Sequence, residues 1–479
     1  MQLTIVGGGG FRTPLVYRAL LADPDQPIDR VVLVDDDPAR LEVISSVLRG
    51  MADGVNGPSS PVAGLVTDGL AAGISSGGNS AGIRPSTDRA PAVAATTDLR
   101  AGLRGADFVF AAIRAGGLDG RVADENIPLA HGVLGQETVG IGGILYALRS
   151  LPAMRDVARA IADVAPDAWL INFTNPAGMV TEALQSILPG RVIGICDSPT
   201  ALVRRVCRAL GVSEQSAVYD YVGLNHLGWL RALRVDGHDL LPGLLTDPAA
   251  LGTFEEGELF GPDLLRSLGA IPNEYLHYFY YADDVVTSLR GTTSRASFLA
   301  DQQSSFYRRA AVSAQPYRLW QQTVDERNRT YMAVSREAAG ASERAEEDVE
   351  GGGYEQIALA VMRSIAGDLG ERLILDVPNH GAVTDLDDDA VLEIPCEVGR
   401  SGVRRLSVAP LSNHEAGLMR QIKAVERWTI TAALDGDRDA LHAALATHPL
   451  NGSYPRAIGV LDEWLRRFPE IAERLHPVR

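Results

Sequence analysis

Gln2-Leu3-Thr4-Ile5-Val6-Gly7-Gly8-Gly9-Gly10-Phe11-Arg12-Thr13-Pro14 is the stretch that decides the fold. The aliphatic and β-branched run Leu3–Val6 stops abruptly in four glycines, as a buried first strand feeding a tight turn does. Thr13–Ala22 then reads as a helix, with Pro14 in the first turn, where a missing N–H costs little. Gly7–Arg12 matches a G-x-G-x-x pattern in part, because Arg12 stands where a third glycine is usual. Val31–Val34 is a second buried strand that runs into Asp35, 23 residues after Arg12. A strand, a glycine turn, a helix and an acidic strand end together predict a dinucleotide site. Gly7, Gly9, Gly10, Phe11 and Arg12 would hold the pyrophosphate at the helix N-terminus. Asp35 would accept from a ribose diol and repel a 2′-phosphate, which favours NAD over NADP.

Outward from this start, strand signals recur at Ala92–Thr96, Phe108–Ile113, Trp169–Phe173 and Val192–Ile195, with helical patterns between them, notably Ala39–Met51 and Ile144–Val164. Alternation of this kind predicts an α/β fold whose N-terminal part is a Rossmann-like, doubly wound parallel sheet. Residues 53–91, rich in Gly, Ser, Ala and Pro, break the pattern and read as a flexible insertion. From about Tyr219 the alternation fades. Longer helical stretches (Phe306–Ala341, Tyr354–Gly367, Glu415–Leu434, His442–Ala446) mix there with strand-like pieces at Leu373–Val377 and Val391–Ile394. The expectation is a NAD-binding domain over 1–215 and a C-terminal α+β substrate and oligomerisation domain over 216–479.

Composition narrows the partners. With 44 basic and 61 acidic side chains among 479 residues, the net charge is −17, which argues against nucleic acid and anionic membrane surfaces. No run approaches 18 apolar residues, so no membrane span is expected. The N-terminus shows no basic leader, and three cysteines (Cys196, Cys207, Cys396) are too few and too odd for a disulfide framework. Reduced thiols in a cytoplasmic protein is the simplest expectation.

Chemistry-bearing residues gather at predicted strand ends. Asn172-Phe173-Thr174-Asn175-Pro176-Ala177-Gly178 follows one strand, Cys196-Asp197-Ser198-Pro199 the next, and Gly223-Leu224-Asn225-His226 lies in a loop-like setting. An isolated cysteine and histidine are more often a buried thiol and a hydrogen-bonded core imidazole. Asp197 beside Cys196 at a strand's carboxyl end shifts that balance, since ligands bind at such ends. Cys196 and His226 are a candidate metal pair, and softness alone would put zinc or iron before manganese. Tyr275 lies in an aromatic run and would need a nearby metal or cation to act as a base. Arg114 follows the fourth strand and Arg295 lies in Thr293-Ser294-Arg295. Either guanidinium fork suits an anionic sugar substituent.

Taken together these segments resemble glycoside hydrolase family four, the NAD-dependent glycosidases, an exception to two-carboxylate hydrolysis. The resemblance runs nearly end to end through the N-terminal glycines, Arg114–Gly117, Gly135-Gln136-Glu137-Thr138, Asn172–Gly178, Cys196–Pro199, Gly223–His226, the Tyr275 cluster, Val377–Gly381 and His448-Pro449, and leaves out 53–91. It implies that Cys196 and His226 hold a divalent metal, usually manganese, with Asp197 as proton donor and Tyr275 as base. Arg114, Asn175 and Arg295 would contact substrate. It also implies oxidation at the sugar C3, proton abstraction at C2, elimination of the aglycone, water addition and return of the hydride. The assembly implied is a homodimer or homotetramer.

The resemblance spans 6-phospho-α- and 6-phospho-β-glucosidases, α-galactosidases and α-glucuronidases. Asp197 after the cysteine is similar to the phospho-α pattern, many phospho-β members carrying Asn there, while Ala115 and Ser198 depart from the family without deciding. A C6-anionic glucoside is the expected substrate, 6-phosphoglucosides ahead of a 6-sulfonated glucoside (sulfoquinovoside). The rival enzyme class is a simple NAD-dependent dehydrogenase of the lactate and malate type.

Overall fold

The computed structural model describes residues 1–23, 25–56, 90–290, 294–330 and 353–476. Its first half follows the alternation expected. β1 (Gln2–Val6), β2 (Arg30–Val34), β3 (Ala92–Thr96), β4 (Phe108–Ala111), β5 (Trp169–Asn172) and β6 (Val192–Gly194) pair in parallel in the order β3-β2-β1-β4-β5-β6. Strands β1, β4 and β5 are buried along almost their whole length, which is why they read as continuous apolar runs. Chain direction across the sheet reverses between β1 and β4. A crevice therefore opens beyond the carboxyl ends of β1, β4, β5 and β6, the place where doubly wound sheets bind ligands.

The second half extends the same sheet with antiparallel strands. β11 (Glu371–Pro378) meets β6 at one register position, Asp376 opposite Gly194, and pairs with β12 (Val391–Gly399) over eight positions. β12 meets β7 (Val218–Leu224) at Glu393 and Gly223, β7 pairs with β8 (Leu227–Val235), and β10 (Ile271–Pro272) closes that side. β9 (His238–Asp239) and β13 (Gly402–Arg405) hang off β8 and β12. Pairing changes from parallel to antiparallel just after residue 215.

Three details differ from the sequence reading. The segment read as fading alternation holds the β7–β8 hairpin, and the motif read as a loop is its tip, with Leu224 opposite Leu227. The single helix expected over Phe306–Ala341 is two helices, Arg295–Ala310 and Pro316–Arg329, because Pro316 has no N–H to continue the first. Residues 331–341 lie outside those described. Asp53–Asn56 belong to the helix Pro38–Asn56 rather than to the insertion, whose residues 57–89 also lie outside those described.

Glycines and one histidine carry local constraints that can be tested. A Cβ added at Gly194 would lie 2.6 Å from the Asp376 Cβ, at the junction of β6 and β11, whereas one at Gly417 meets nothing within 4 Å and sits on an exposed helical face. Gly194→Ala is therefore expected to cost about 1–3 kcal/mol through overpacking. Gly417→Ala should gain about 0.5–1 kcal/mol from helix propensity. Urea midpoints moving in opposite directions are the readout. His448 caps the turn Pro449–Asn451 by accepting from the Leu450 amide at 3.1 Å, and burial pushes its pKa down to about 3. Between pH 4 and 6 the unfolded chain binds a proton there that the folded chain does not, so stability falls as pH falls. His448→Asn keeps an acceptor at the cap and should remove up to about 1.4 kcal/mol per pH unit of that slope, read from denaturant melts at pH 4.5 and 6.

Candidate active site

One cavity of about 1310 Å³ runs from the glycine turn to the tip of the β7–β8 hairpin and gathers nearly all the residues singled out from sequence. Gly7, Gly10, Phe11, Arg12, Asp35, Arg114, Asn175, Cys196, Asp197, His226, Tyr275 and Arg295 line it. Gly9 is not among the residues that line it.

At the dinucleotide end the turn is shaped by its own hydrogen bonds. Gly7 and Gly8 donate to the Val34 carbonyl at 2.9 and 2.8 Å, and Gly10 donates back to Gly7 at 2.9 Å. Gly7 adopts φ +87°, and a Cβ there would lie 2.7 Å from the Ala112 carbonyl oxygen, so glycine is required by backbone and space together. The Asp35 carboxylate accepts from the Gly9 and Asp37 amides at 3.0 and 3.1 Å, and burial raises its pKa. The amides of Phe11 and Arg12, just before the helix Thr13–Ala22, find no acceptor among the described residues. Orphan amides at a helix N-terminus suit a pyrophosphate, so the turn fits a dinucleotide. Later parts of the chain brace it from behind: Tyr307, Trp320 and Tyr354 donate to the carbonyls of Gly9, Phe11 and Arg12 at 2.6, 3.0 and 3.1 Å.

At the opposite end, His226 occupies the hairpin tip with φ +65°, a strained setting for a side chain with a Cβ. Its Nδ1 lies 2.7 Å from the Thr138 hydroxyl, which can donate onward to Gln136 Oε1 at 3.1 Å. That chain places the imidazole proton on Nδ1 and leaves Nε2 as a lone pair. Burial lowers the His226 pKa to about 4, outweighing Asp197 and Glu137, so the ring is neutral near pH 7. The Tyr275 ring stacks on it, centroids 3.7 Å apart and 3° from parallel.

Cys196, at the end of β6, is buried, and burial plus the charges of Glu393, Asp197 and Asp376 push its thiol well above the usual range. A divalent cation would reverse both pressures, deprotonating the thiol and neutralising the acids around it. The neutral imidazole and the acid-ringed thiol therefore fit such an ion. No group of three or more His, Cys, Asp or Glu converges as a ligand set among the described residues, which leaves other coordination positions to water and substrate oxygens.

Other side chains hold these groups in place. Asn172 knits the loop after β5, accepting from the Thr174 amide at 3.0 Å and donating to Ala177 O and Thr181 Oγ1, and Thr174 Oγ1 accepts from Ile113 N beside Arg114. Ser198 donates to Glu274 at 2.7 Å, tying the Asp197 loop to the Tyr275 loop.

Sequence reasoning missed several residues here. Arg121 pairs with Glu125 and Glu137, Glu137 also takes Arg114, and these two arginines hold Glu137 down to about 2 against the effect of burial. Arg121 also lies within electrostatic reach of the Tyr275 phenol, as a cation favouring a phenolate would. The i,i+4 spacing of Arg121 and Glu125 was a visible signal. Arg327, on a helix with a solvated-looking pattern, was not.

The fold and cavity define a dinucleotide-fold protein that places a thiol, an imidazole, an acid and a phenol around one sugar-sized space. Residues 83–212 match the family described as "Family 4 glycosyl hydrolase", and residues 221–451 match the "Family 4 glycosyl hydrolase C-terminal domain". A maltose-6′-phosphate glucosidase of Bacillus subtilis is 30% identical over 93% of this chain and 90% of its own length. A 6-phospho-alpha-glucosidase of Leptotrichia buccalis is 29% identical over 96% of each. Among solved structures, a 6-phospho-alpha-glucosidase from gut microorganisms in complex with NAD and Mn²⁺ superposes with TM-score 0.76 at 25% identity, covering 98% of both chains. A 6-phospho-beta glucosidase from Thermotoga maritima, with NAD and glucose-6-phosphate, gives TM-score 0.77 at 25% identity over 98% of this chain and 99% of that one. The chain belongs to glycosyl hydrolase family 4.

Because Thr138 orients His226 without touching a ligand position, Thr138→Val is expected to weaken the apparent affinity for Mn²⁺ by about ten- to a hundredfold. Calorimetric titration of the apoprotein measures it; unchanged affinity would show that the hydroxyl does not set the ring.

Proposed function

We propose that this chain hydrolyses glucosides carrying phosphate at C6, using NAD and a divalent cation, and regenerates the cofactor in each turnover. The observation that carries this reading is the stack of His226 on Tyr275, in the same cavity as Cys196-Asp197 and the glycine turn. A simple dehydrogenase would have no use for a thiol, an acid and a phenol arranged in this way.

Gly7, Gly9, Gly10, Phe11 and Arg12 would hold the cofactor through the turn and its free amides, with Asp35 at the ribose end. Cys196 and His226 would hold the cation. When bound, NAD supplies a reversible hydride acceptor for the sugar C3 and the cation supplies a Lewis acid for the sugar oxygens, which together make the C2 proton acidic. Tyr275, beside the Arg121 guanidinium, accepts that proton. Asp197 delivers a proton to the glycosidic oxygen as the C1–O bond breaks. Water then adds its hydroxyl at C1, and C2 regains a proton. Asn175 and Arg114 orient the sugar, the latter held in place by Glu137. Arg295 donates to the carbonyls of Arg327 and Thr330 and to the Thr330 hydroxyl, and presents its remaining face to the cavity.

Asp197 favours α-linked substrates, although elimination through C2 tolerates either anomer. The three free, buried cysteines support a reducing, cytoplasmic setting. No helix among the described residues is long and apolar enough to cross a membrane. A homodimer or homotetramer and a functional division near residue 215 complete the reading.

The test is incubation with NAD, Mn²⁺ and nitrophenyl 6-phosphoglucosides. Release of nitrophenol with no net NADH is expected, and stoichiometric NADH without release would overturn the reading. Tyr275→Phe should lower kcat by about 10²–10⁴-fold on any aglycone. Asp197→Asn should cost much less on the nitrophenyl substrate, whose leaving group needs no proton, than on maltose 6′-phosphate.

A further inference from the structure

Seven arginines (Arg12, Arg40, Arg114, Arg121, Arg205, Arg295, Arg327) line this one cavity in a chain of net charge −17. Four of them have carboxylate partners: Arg114 and Arg121 share Glu137, Arg121 also takes Glu125, Arg205 pairs with Glu256, and Arg40 lies 3.6 Å from Asp37. Arg12 and Arg327 differ, because neither lies within ion-pair distance of a carboxylate among the described residues. The Arg12 guanidinium lies 5.3 and 5.2 Å from the ring centroids of Phe173 and Tyr354, which stack on each other at 3.9 Å. Aromatic faces hold a guanidinium in place and leave its charge available. Arg327 sits in the last turn of the helix Pro316–Arg329, and its carbonyl accepts from Arg295 at 2.8 Å. Burial, and then the guanidiniums of Arg12, Arg295, Arg121 and Arg114, press its pKa well below the usual range. A half-buried cation facing four others is relieved by an anion.

Position separates this pair from the cofactor end. The Tyr354 hydroxyl lies within electrostatic reach of Arg12, Arg327 and Asp197 together. The ribose end of the turn is instead ringed by Asp35, Asp36 and Asp37, with Arg40 beside Asp37 at 3.6 Å. A pyrophosphate is already provided for by the free amides of Phe11 and Arg12.

We propose that the side chains of Arg12 and Arg327 form a cationic subsite that grips a tetrahedral oxyanion at C6 of the sugar and sets the preference for anionic over neutral glucosides. This rests on the glycosidase reading above and extends it to two residues, one standing where a glycine is usual in the turn and the other hidden on a polar helix. Guanidinium forks match the oxygens of a phosphate or a sulfonate bidentately.

The test uses full-length protein with NAD and Mn²⁺ and three nitrophenyl glucosides, bearing phosphate, sulfonate or hydroxyl at C6. Arg12→Gln and Arg327→Gln should each lower the ratio of kcat/KM for the anionic over the neutral substrate by about tenfold or more, mostly through KM. Arg327→Lys should restore part of it. The NAD dissociation constant of Arg327→Gln, followed by protein fluorescence, should stay within about twofold. Loss on the phosphate arm, the sulfonate arm or both supports the subsite and names its oxyanion. An unchanged ratio in both Gln variants, or a matching loss of NAD affinity in Arg327→Gln, overturns it. If the native chain cleaves none of the three, the glycosidase reading fails on its own. The subsite is then decided by inorganic phosphate and sulfate: thermal stabilisation of the native chain that Arg327→Gln lacks supports it, and equal stabilisation of both overturns it.

Discussion

Everything in the cavity depends on a narrow junction in the sheet, where β6 meets β11 at Gly194 and Asp376. On one side of it the parallel strands present the glycine turn, Arg114, Asn175 and Cys196-Asp197 at their carboxyl ends. On the other, antiparallel strands carry His226 on a hairpin tip, with Tyr275 just beyond β10. The absence of a side chain at Gly194 lets the two halves of the sheet close up. Asp376 is fully buried there with both carboxylate oxygens unpaired, and burial with Glu426 nearby raises its pKa to about 7. That carboxyl also contributes to the acidic surroundings of Cys196. The joint that builds the site thus helps set its charge.

Charge in the cavity is sorted by position. The ribose end is acidic through Asp35, Asp36 and Asp37. The thiol sits among Glu393, Asp197 and Asp376, an environment that calls for a divalent cation. Between them stand the guanidiniums, partly balanced by Glu137 and Glu125. Such segregation in a cavity walled by protein makes each charge count for more than it would on an open surface. It also explains how a strongly acidic chain can receive an anionic sugar: the repulsive charge lies mostly elsewhere, and the local field favours the anion.

Much of this was legible in the sequence where one physical signal dominated. Leu3–Val6, Val31–Val34 and Phe108–Ala111 are buried on both faces, so their runs of apolar residues announce strands directly. Cys196 and His226 stood out only because Asp197 beside the thiol at a strand end shifted the balance away from a buried thiol and a core imidazole, and the resemblance to family four supplied the roles expected of them and of Tyr275. The β7–β8 hairpin was missed because Gly223 and Gly228 weaken the strand signal at the place where they let the backbones approach. Pro316 was passed over inside a helical pattern. Arg327 was illegible for a deeper reason: a helical arginine facing a cavity has the same local pattern as one facing water, and only tertiary packing distinguishes them.

The central claim is that the glycosidic bond breaks by elimination after a proton leaves C2, not by direct displacement at C1. Hydrolysis in heavy water, with the released glucose 6-phosphate analysed by proton NMR or mass spectrometry, tests it most directly. The account predicts deuterium incorporated at C2 of the product, together with isotope exchange into unreacted substrate where reprotonation competes with elimination. Product that keeps its full complement of C2 hydrogen from the substrate, released at the normal rate, would contradict it.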